Sequence, residues 1–474
     1  MKKLHLKIVL FCAALGQIPV SWECFAQDAL PELVERGKYL ATAADCNACH
    51  SDPLSGNAFS GGYRVKTPLG DIVASNITPS KVSGIGGWSL SRFSDAVRKG
   101  RVGLHFLYPA MPYPEYSGIS DADIKALYSY FQLGVSPIEH KPEATHLDFP
   151  FNIRFLMAGW DIVFGGGKPT DSAQTSGERR GEYLATALGH CSSCHSPRNV
   201  FMGIDRSEYL SGGKVGAWTA PNITSDVRDG IGLWSEQDLE SYLKTGVAHG
   251  KAIAAGDMAV AIQNSFSLMN NDDIRALARY IKSVPPKQSR NSRFPSAVIP
   301  EGSVSAIRET EKSYQAMMNV STLSGADLYE GACSSCHGHD GQGSLDGEIP
   351  RLKGVAITGS MDPSNLVLTI SEGVNRKAGG HHSFMPAFGN NGTAFNPQFN
   401  PIIISKISDY ISSSFGVPSH HVSLAQVEDI LSTEGNRNTG YRVKYIYIGI
   451  SVIFLSFFFC LVQFFRKKCR KIKL

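Results

Sequence analysis

The sequence predicts an all-α molecule: three tandem helical domains followed by one C-terminal transmembrane helix. Three observations predict it. Cys-x-x-Cys-His is written three times, as Cys46-Cys49-His50, Cys191-Cys194-His195 and Cys333-Cys336-His337. A unit of matching sequence surrounds each copy, with the first cysteines 145 and 142 residues apart. Residues 445–465 form an apolar run of 21 residues without a charge, and six cations crowd the nine residues after it.

The motif comes first because it carries chemistry. Two thiols at this spacing reach the two vinyl groups of one porphyrin as thioethers, and the next residue sets an imidazole beneath the iron. Three motifs therefore predict three covalently bound haems c, on Cys46 and Cys49, Cys191 and Cys194, and Cys333 and Cys336. The proximal ligands are then His50, His195 and His337. A zinc ribbon would need two CxxC pairs brought together and has no use for a histidine after each. A thioredoxin-like dithiol has no use for it either.

The ends predict a compartment. Residues 1–26 read as a secretory leader: Lys2, Lys3 and Lys7, an apolar stretch, then Cys24-Phe25-Ala26 as a cleavage site. At 1.5 Å per residue, residues 445–465 would span about 31 Å as a helix, enough for one bilayer crossing. The cations of 466–474 then place that tail in the cytoplasm and the rest on the outer, periplasmic side of a bacterial inner membrane. Between the leader and that run the net charge is −4, from 37 basic and 41 acidic residues in 27–444. Nucleic acid is an unsuitable partner for such a surface. Six cysteines belong to the motifs and the other four to the two ends, so the exported body has none left for disulfides.

The repeat gives the internal plan. Copy one runs ERGKYLATAADCNACH, SNITP, GIGGWS, FSDAVRKG, YPAMP and DADIKALYSYF; copy two answers with RRGEYLATALGHCSSCH, PNITS, GIGLWS, LESYLKTG, GDMA and NDDIRALARYI. Copy three, with GADLYEGACSSCH, NLVLTISEG, FMPAF and ISKISDYIS, keeps the frame but has diverged. The domains fall at 27–168, 169–290 and 321–418, with linkers at 291–320 and 419–444. Apolar spacing predicts helices entering the motifs at 35–44 and 180–188. Amphipathic helices at 90–99, 235–245 and 363–372 each end at a glycine fit for a C-cap: Gly100, Gly246 and Gly373. Helices 121–132 and 271–283 start from Ser120 and Asn270 as N-caps.

Between the last two helices of each copy a loop must cross the far side of the haem, and each loop holds a methionine. Met111, Met258 and Met385 lie 11, 12 and 12 residues beyond the capping glycines. A thioether is a soft, neutral ligand that favours ferrous iron and raises the potential. A lone methionine is usually core filler; the threefold offset makes these three the expected distal ligands, ahead of His105, His249, His381 and His382. Trp88 and Trp234, with Asn76-Ile77-Thr78 and Asn222-Ile223-Thr224, are expected to wall or hydrogen-bond the haems. Arg64, Arg98 and Arg198 are expected propionate partners. The aromatic stretch 149–167, with Trp160, reads as an inter-domain clasp rather than a docking patch.

With ERGKYLATAADCNACH, SNITP, GIGGWS, YPAMPYPEY and FNIRFLMAGWDIVF placed, the chain resembles the triheme cytochrome c subunit of bacterial membrane-bound dehydrogenases. That group includes the cytochrome subunits of quinoprotein alcohol dehydrogenase and of flavin-dependent gluconate 2-dehydrogenase. The resemblance covers about residues 29–416. It implies three class I cytochrome c-like domains with His/Met ligation. It also implies that a partner dehydrogenase subunit oxidises an alcohol, aldehyde or sugar acid and hands electrons to these haems, which pass them to membrane ubiquinone or a terminal oxidase. Copy three departs from the pattern in Gly379-Gly380-His381-His382 and in the Asn/Gly-rich insertion 389–400. No motif for flavin, pyrroloquinoline quinone or molybdenum is present, which puts substrate oxidation on the partner. A haem enzyme acting by itself, such as a peroxidase or a thiosulfate-oxidising cytochrome, would need one iron with an open or unusual sixth position; three methionines argue against it. A respiratory-oxidase cytochrome subunit would differ only in its partner.

Overall fold

The computed structural model describes residues 22–289, 322–389 and 398–432, apart from 53, 68, 168, 170–176 and 417. Most of the leader, the 291–320 linker and the C-terminal run lie outside the described residues.

Each copy is a ring of short helices around its motif. In copy one the leading helix Trp22–Ala43 meets the motif helix Cys46–His50. Helix Leu90–Lys99 follows, and then the closing helix Asp121–Ser129 with its π-helical extension Tyr130–Gly134. Copy two repeats this with Gly177–Tyr183 and a π-helical turn Leu184–Leu188, then Ser192–His195, Glu236–Thr245 and Asn271–Ser283. Copy three uses Gly325–Ala332, Ser334–His337, Ser364–Glu372 and Pro401–Phe415.

Local chemistry sets the boundaries. Ser89, Ser120, Ser235, Asn270, Ser324 and Asn400 each accept a backbone N–H with the side chain at a helix start. Gly100 and Gly246 close their helices at φ 57° and 79°, the left-handed region open to glycine.

The leading and closing helices cross at near-contact distance through a glycine in every copy. A Cβ on Gly37 would lie 2.0 Å from the Ala126 carbonyl oxygen; on Gly181, 1.9 Å from that of Ala276; on Gly325, 2.3 Å from that of Lys406.

Two expectations are corrected. The chain is not all-α, because five antiparallel hairpins stand among the described residues. Two of them, Arg64–Thr67 with Gly70–Val73 and Gly213–Val215 with Trp218–Ala220, follow the motifs. The other three follow the capping glycines: Arg101–Val102 with His105–Phe106, Val247–Ala248 with Ala252–Ile253, and Val374–Ala378 with His381–Met385. Strands of two to five residues are too short for alternation to register in sequence. The C-terminal transmembrane helix is corrected too: no helix among the described residues is long and apolar enough to cross a membrane. The 22-residue helix Trp22–Ala43 has the length but carries Asp28, Glu32, Glu35, Arg36 and Lys38. Residues 445–465, on which that expectation rested, lie outside the described residues.

Copies one and two share one core, in which Leu40, Ile124 and Leu127 join Leu184, Leu188, Ile274 and Leu277. Copy three has its own, around Tyr329, Val367, Ile404 and Ile407. Helix Leu424–Leu431, within the stretch read as a linker, adds the fully buried Val427 to it.

The seam between copies one and two is polar and reciprocal. Arg36 grips Asp123 within copy one (2.6 and 2.9 Å), and Arg180 grips Asp273 within copy two (2.7 and 2.8 Å). Tyr39 then crosses to donate to Asp273 at 2.6 Å, while Tyr183 crosses the other way to Asp123 at 2.6 Å. The aromatic stretch acts as the expected clasp. On helix Leu156–Phe164, Trp160 Nε1 donates to the Phe201 carbonyl at 2.8 Å and Asp161 accepts from Tyr113.

Candidate haem sites

The three motif histidines each have the same kind of second partner, a backbone carbonyl. His50 Nδ1 lies 2.7 Å from the Ser75 carbonyl oxygen, His195 Nδ1 2.7 Å from that of Pro221, and His337 Nδ1 3.0 Å from that of Pro350. A carbonyl only accepts, so Nδ1 carries the hydrogen and Nε2 keeps its lone pair. Burial pushes all three imidazoles below their ordinary pKa, with the carbonyl bonds opposing it. Neutral rings with Nε2 free and Nδ1 anchored are what a metal-ligating histidine requires.

The Asn-Ile-Thr repeats support this arrangement, and in copy two Asn222 and Ile223, with Trp234, also line the cavity that His195 faces, as expected. Asn76 follows Ser75 directly; its Nδ2 donates to the Ile138 and His140 carbonyls at 2.8 and 2.9 Å. Its Oδ1 accepts from the Thr78 N–H and hydroxyl at 2.9 and 2.7 Å. Asn222, directly after Pro221, repeats this with the Lys287 carbonyl and with Thr224. All four side chains are buried. Each lock staples the chain leaving the closing helix to the loop that supplies the histidine's acceptor.

Five of the six motif cysteines lie in apolar surroundings, while Cys336 is exposed. Burial pushes Cys46, Cys49, Cys191 and Cys333 up to about 12, and Cys194 to about 11. Redox-active and zinc-binding thiols need the opposite shift. Among the described residues, no three His, Cys, Asp or Glu side chains converge to hold a metal ion. A thioether carries no charge and suits this setting.

A cavity of about 1090 Å³ runs between copies two and three. It is lined by Cys191, Cys194, His195 and Met258 from one and by Cys333, Cys336, His337 and Met385 from the other. The structure thus brings each of these methionines to the cavity its own histidine faces. In copy one, Met111 and Cys46 pack against the same core. The methionines do not share one backbone setting. Met111 is in a loop, Met258 is in the first turn of helix Gly256–Asn264, and Met385 ends a strand.

Of the expected propionate partners, Arg64 pairs with Glu143, and Arg198 donates to the Met202 and Ser193 carbonyls. Arg98 fits the role better: Nη1 bonds Asp121 at 2.6 Å, while Nε and Nη2 are buried with no acceptor among the described residues. Two unmatched donor nitrogens on a buried cation suit a carboxylate supplied by the cofactor. The anchored imidazoles, the apolar cavity and this arginine all fit haem c.

Helical rings around CxxCH motifs with anchored imidazoles define a c-type cytochrome, and the family description Cytochrome c matches residues 323–414. Comparison of the whole chain is more specific. It is 41% identical to the fructose dehydrogenase cytochrome subunit of Gluconobacter japonicus, over 84% of this chain and 82% of the relative. It is 35% identical to the cytochrome c subunit of alcohol dehydrogenase (quinone) of Gluconobacter oxydans (strain 621H), over 76% and 75%. With the gluconate 2-dehydrogenase cytochrome c subunit of Pantoea cypripedii it shares 36%, over 75% and 80%. The chain belongs to this family of cytochrome c subunits of membrane dehydrogenases: it binds haem c covalently and is the electron-transfer subunit of a dehydrogenase complex.

Reading the sequence alone misses three features here: the carbonyl partner of each motif histidine, the packing glycine and the crossing tyrosine. The repeat contains the signal for the last two, since Gly37-Lys38-Tyr39 aligns with Gly181-Glu182-Tyr183.

Proposed function

We propose that this chain carries three haems c, one per copy, held by Cys46 and Cys49, Cys191 and Cys194, and Cys333 and Cys336. The iron of each would be held by His50 and Met111, by His195 and Met258, and by His337 and Met385. When bound, haem c supplies a one-electron ferric/ferrous couple. The chain's own part is to hold that couple dry and at fixed potential. The carbonyls of Ser75, Pro221 and Pro350 orient the imidazoles and increase their basicity. The methionine sulfurs favour the reduced state, and the apolar walls limit reorganisation of water.

The partner is a dehydrogenase catalytic subunit that oxidises a CH–OH group in an alcohol, sugar or sugar acid, as the names of the relatives indicate. Electrons leave for membrane ubiquinone or a terminal oxidase. The leader in 1–26 supports a periplasmic position for the haem-bearing copies at the bacterial inner membrane. The observation that carries the reading is the threefold anchored histidine, two copies of which face one cavity with their methionines. The test is a count of haem per chain by haemochrome assay, with the methionine–iron charge-transfer band of the oxidised protein. Three haems and a band of threefold strength are expected; two haems, or a band short of three, would overturn the assignment.

A further inference from the structure

Arg376 is only 1% exposed, yet among the described residues no carboxylate pairs with it. It stands on strand Val374–Ala378 of copy three, whose partner strand ends with Met385 opposite Val374. Its guanidinium reaches into copy two. Nε donates to the Thr245 carbonyl at 3.1 Å and Nη1 to the Ala254 carbonyl, while Nη2 turns back to Ser383 Oγ at 2.7 Å.

Those acceptors bracket one short piece of chain. Thr245 ends helix Glu236–Thr245, and Ala254 follows hairpin Val247–Ala248/Ala252–Ile253. Helix Gly256–Asn264, which carries Met258, starts two residues later. One planar fork therefore pins both ends of the hairpin leading to Met258, and its third arm holds the strand leading to Met385. Gly246 makes the room: a Cβ there would lie 2.3 Å from the guanidinium carbon. The rest of the copy-three hairpin follows the arginine in. The Lys377 N–H donates to Gln263 Oε1 at 2.9 Å, on the Met258 helix, and Ala378 is buried in the core of copies one and two.

We propose that Arg376 is a positioning residue for two distal methionines, tying the Met258 segment of copy two to the Met385 strand of copy three. This rests on the His/Met reading above. The task needs the fork and not charge alone, because three acceptors lie in three directions and a lysine ammonium cannot span them in one plane.

The test uses the full-length haem-loaded protein, with redox titration and the methionine–iron band read together. The wild-type band is measured first; if it falls short of three methionine-ligated irons, the ligand reading itself fails, and it does so independently of Arg376. In Arg376→Gln, two of the three redox components are expected to shift while the third, from copy one, stays. The band should fall by up to about two thirds. Arg376→Lys keeps the buried charge, guards against simple failure to fold, and is expected to shift the same two components. A lysine variant with wild-type potentials and band would overturn the proposal, since charge would then suffice. So would a glutamine variant in which no component moves, or one in which all three move together.

Discussion

Gly37 lies so close to Ala126 that a β-carbon would stand 2.0 Å from the alanine's carbonyl oxygen. The same approach recurs between Gly181 and Ala276 and between Gly325 and Lys406, so all three copies share this helix crossing. Alanine at any of the three is therefore expected to destabilise its copy. Overpacking costs about 1–3 kcal/mol or more, against a helix-propensity gain of at most about 1 kcal/mol. Urea denaturation of Gly37→Ala, Gly181→Ala and Gly325→Ala checks this; a variant as stable as the wild type would show that the crossing can relax.

Removing the hydroxyl of either crossing tyrosine should loosen the seam between copies one and two. Tyr39→Phe leaves Asp273 with Arg180, and Tyr183→Phe leaves Asp123 with Arg36. A hydrogen bond to a charged acceptor is worth about 1.5–3 kcal/mol, so each single substitution should lower stability by about that much. Equal losses in the two variants, followed by denaturation, are the expected result.

Asp45 should give the protein a pH dependence opposite in sign to that of most carboxylates. Its Oδ1 is buried without a partner among the described residues, and burial pushes the carboxyl from 3.8 up to about 8. Between about pH 4 and pH 8 the folded chain keeps a proton that the unfolded chain has released, so stability falls as pH rises through that window. Asp45→Asn should flatten the slope and raise stability at pH 7. Urea midpoints across the window, compared between the two proteins, decide it; identical slopes would mean that Asp45 is not the carrier.

The asparagine locks should be separable from one another. Asn76→Ala strands the His140 carbonyl and the Thr78 N–H and leaves the Ile138 carbonyl only longer contacts from Thr78 and Ser83, a loss of about 2–4 kcal/mol for buried polar groups left unpaired. Because Ser75 next to it accepts from His50, the redox component of copy one should move as well. Asn222→Ala should do the same for copy two, and neither should alter copy three.

The sequence made part of this legible for definite reasons. Ser120 and Asn270 cap their helices as read, because a cap is decided within three residues. Gly100 and Gly246 do so because only a few residues tolerate the left-handed region. The cysteines and histidines are legible because covalent attachment fixes their spacing. What sequence does not show is decided between copies or by very short elements. The hairpins give two to five residues of pattern, the Trp88 and Asn76 motifs give no direction in space, and nothing local marks Arg376 as a residue that leaves its own domain.

The reciprocal tyrosines have a consequence for how the molecule is organised. Two patches that exchange the same contact in both directions are related as the halves of a two-fold dimer are, here within one polypeptide. Copy three takes no part in this symmetry. Ser324, Asp327 and Ile403 stand where Arg36, Tyr39 and Asp123 stand in copy one. It is attached instead through Arg376 and through Lys214 to Asp362. The chain is thus a pair plus one and not a stack of three, so a change that weakens one junction need not weaken the other.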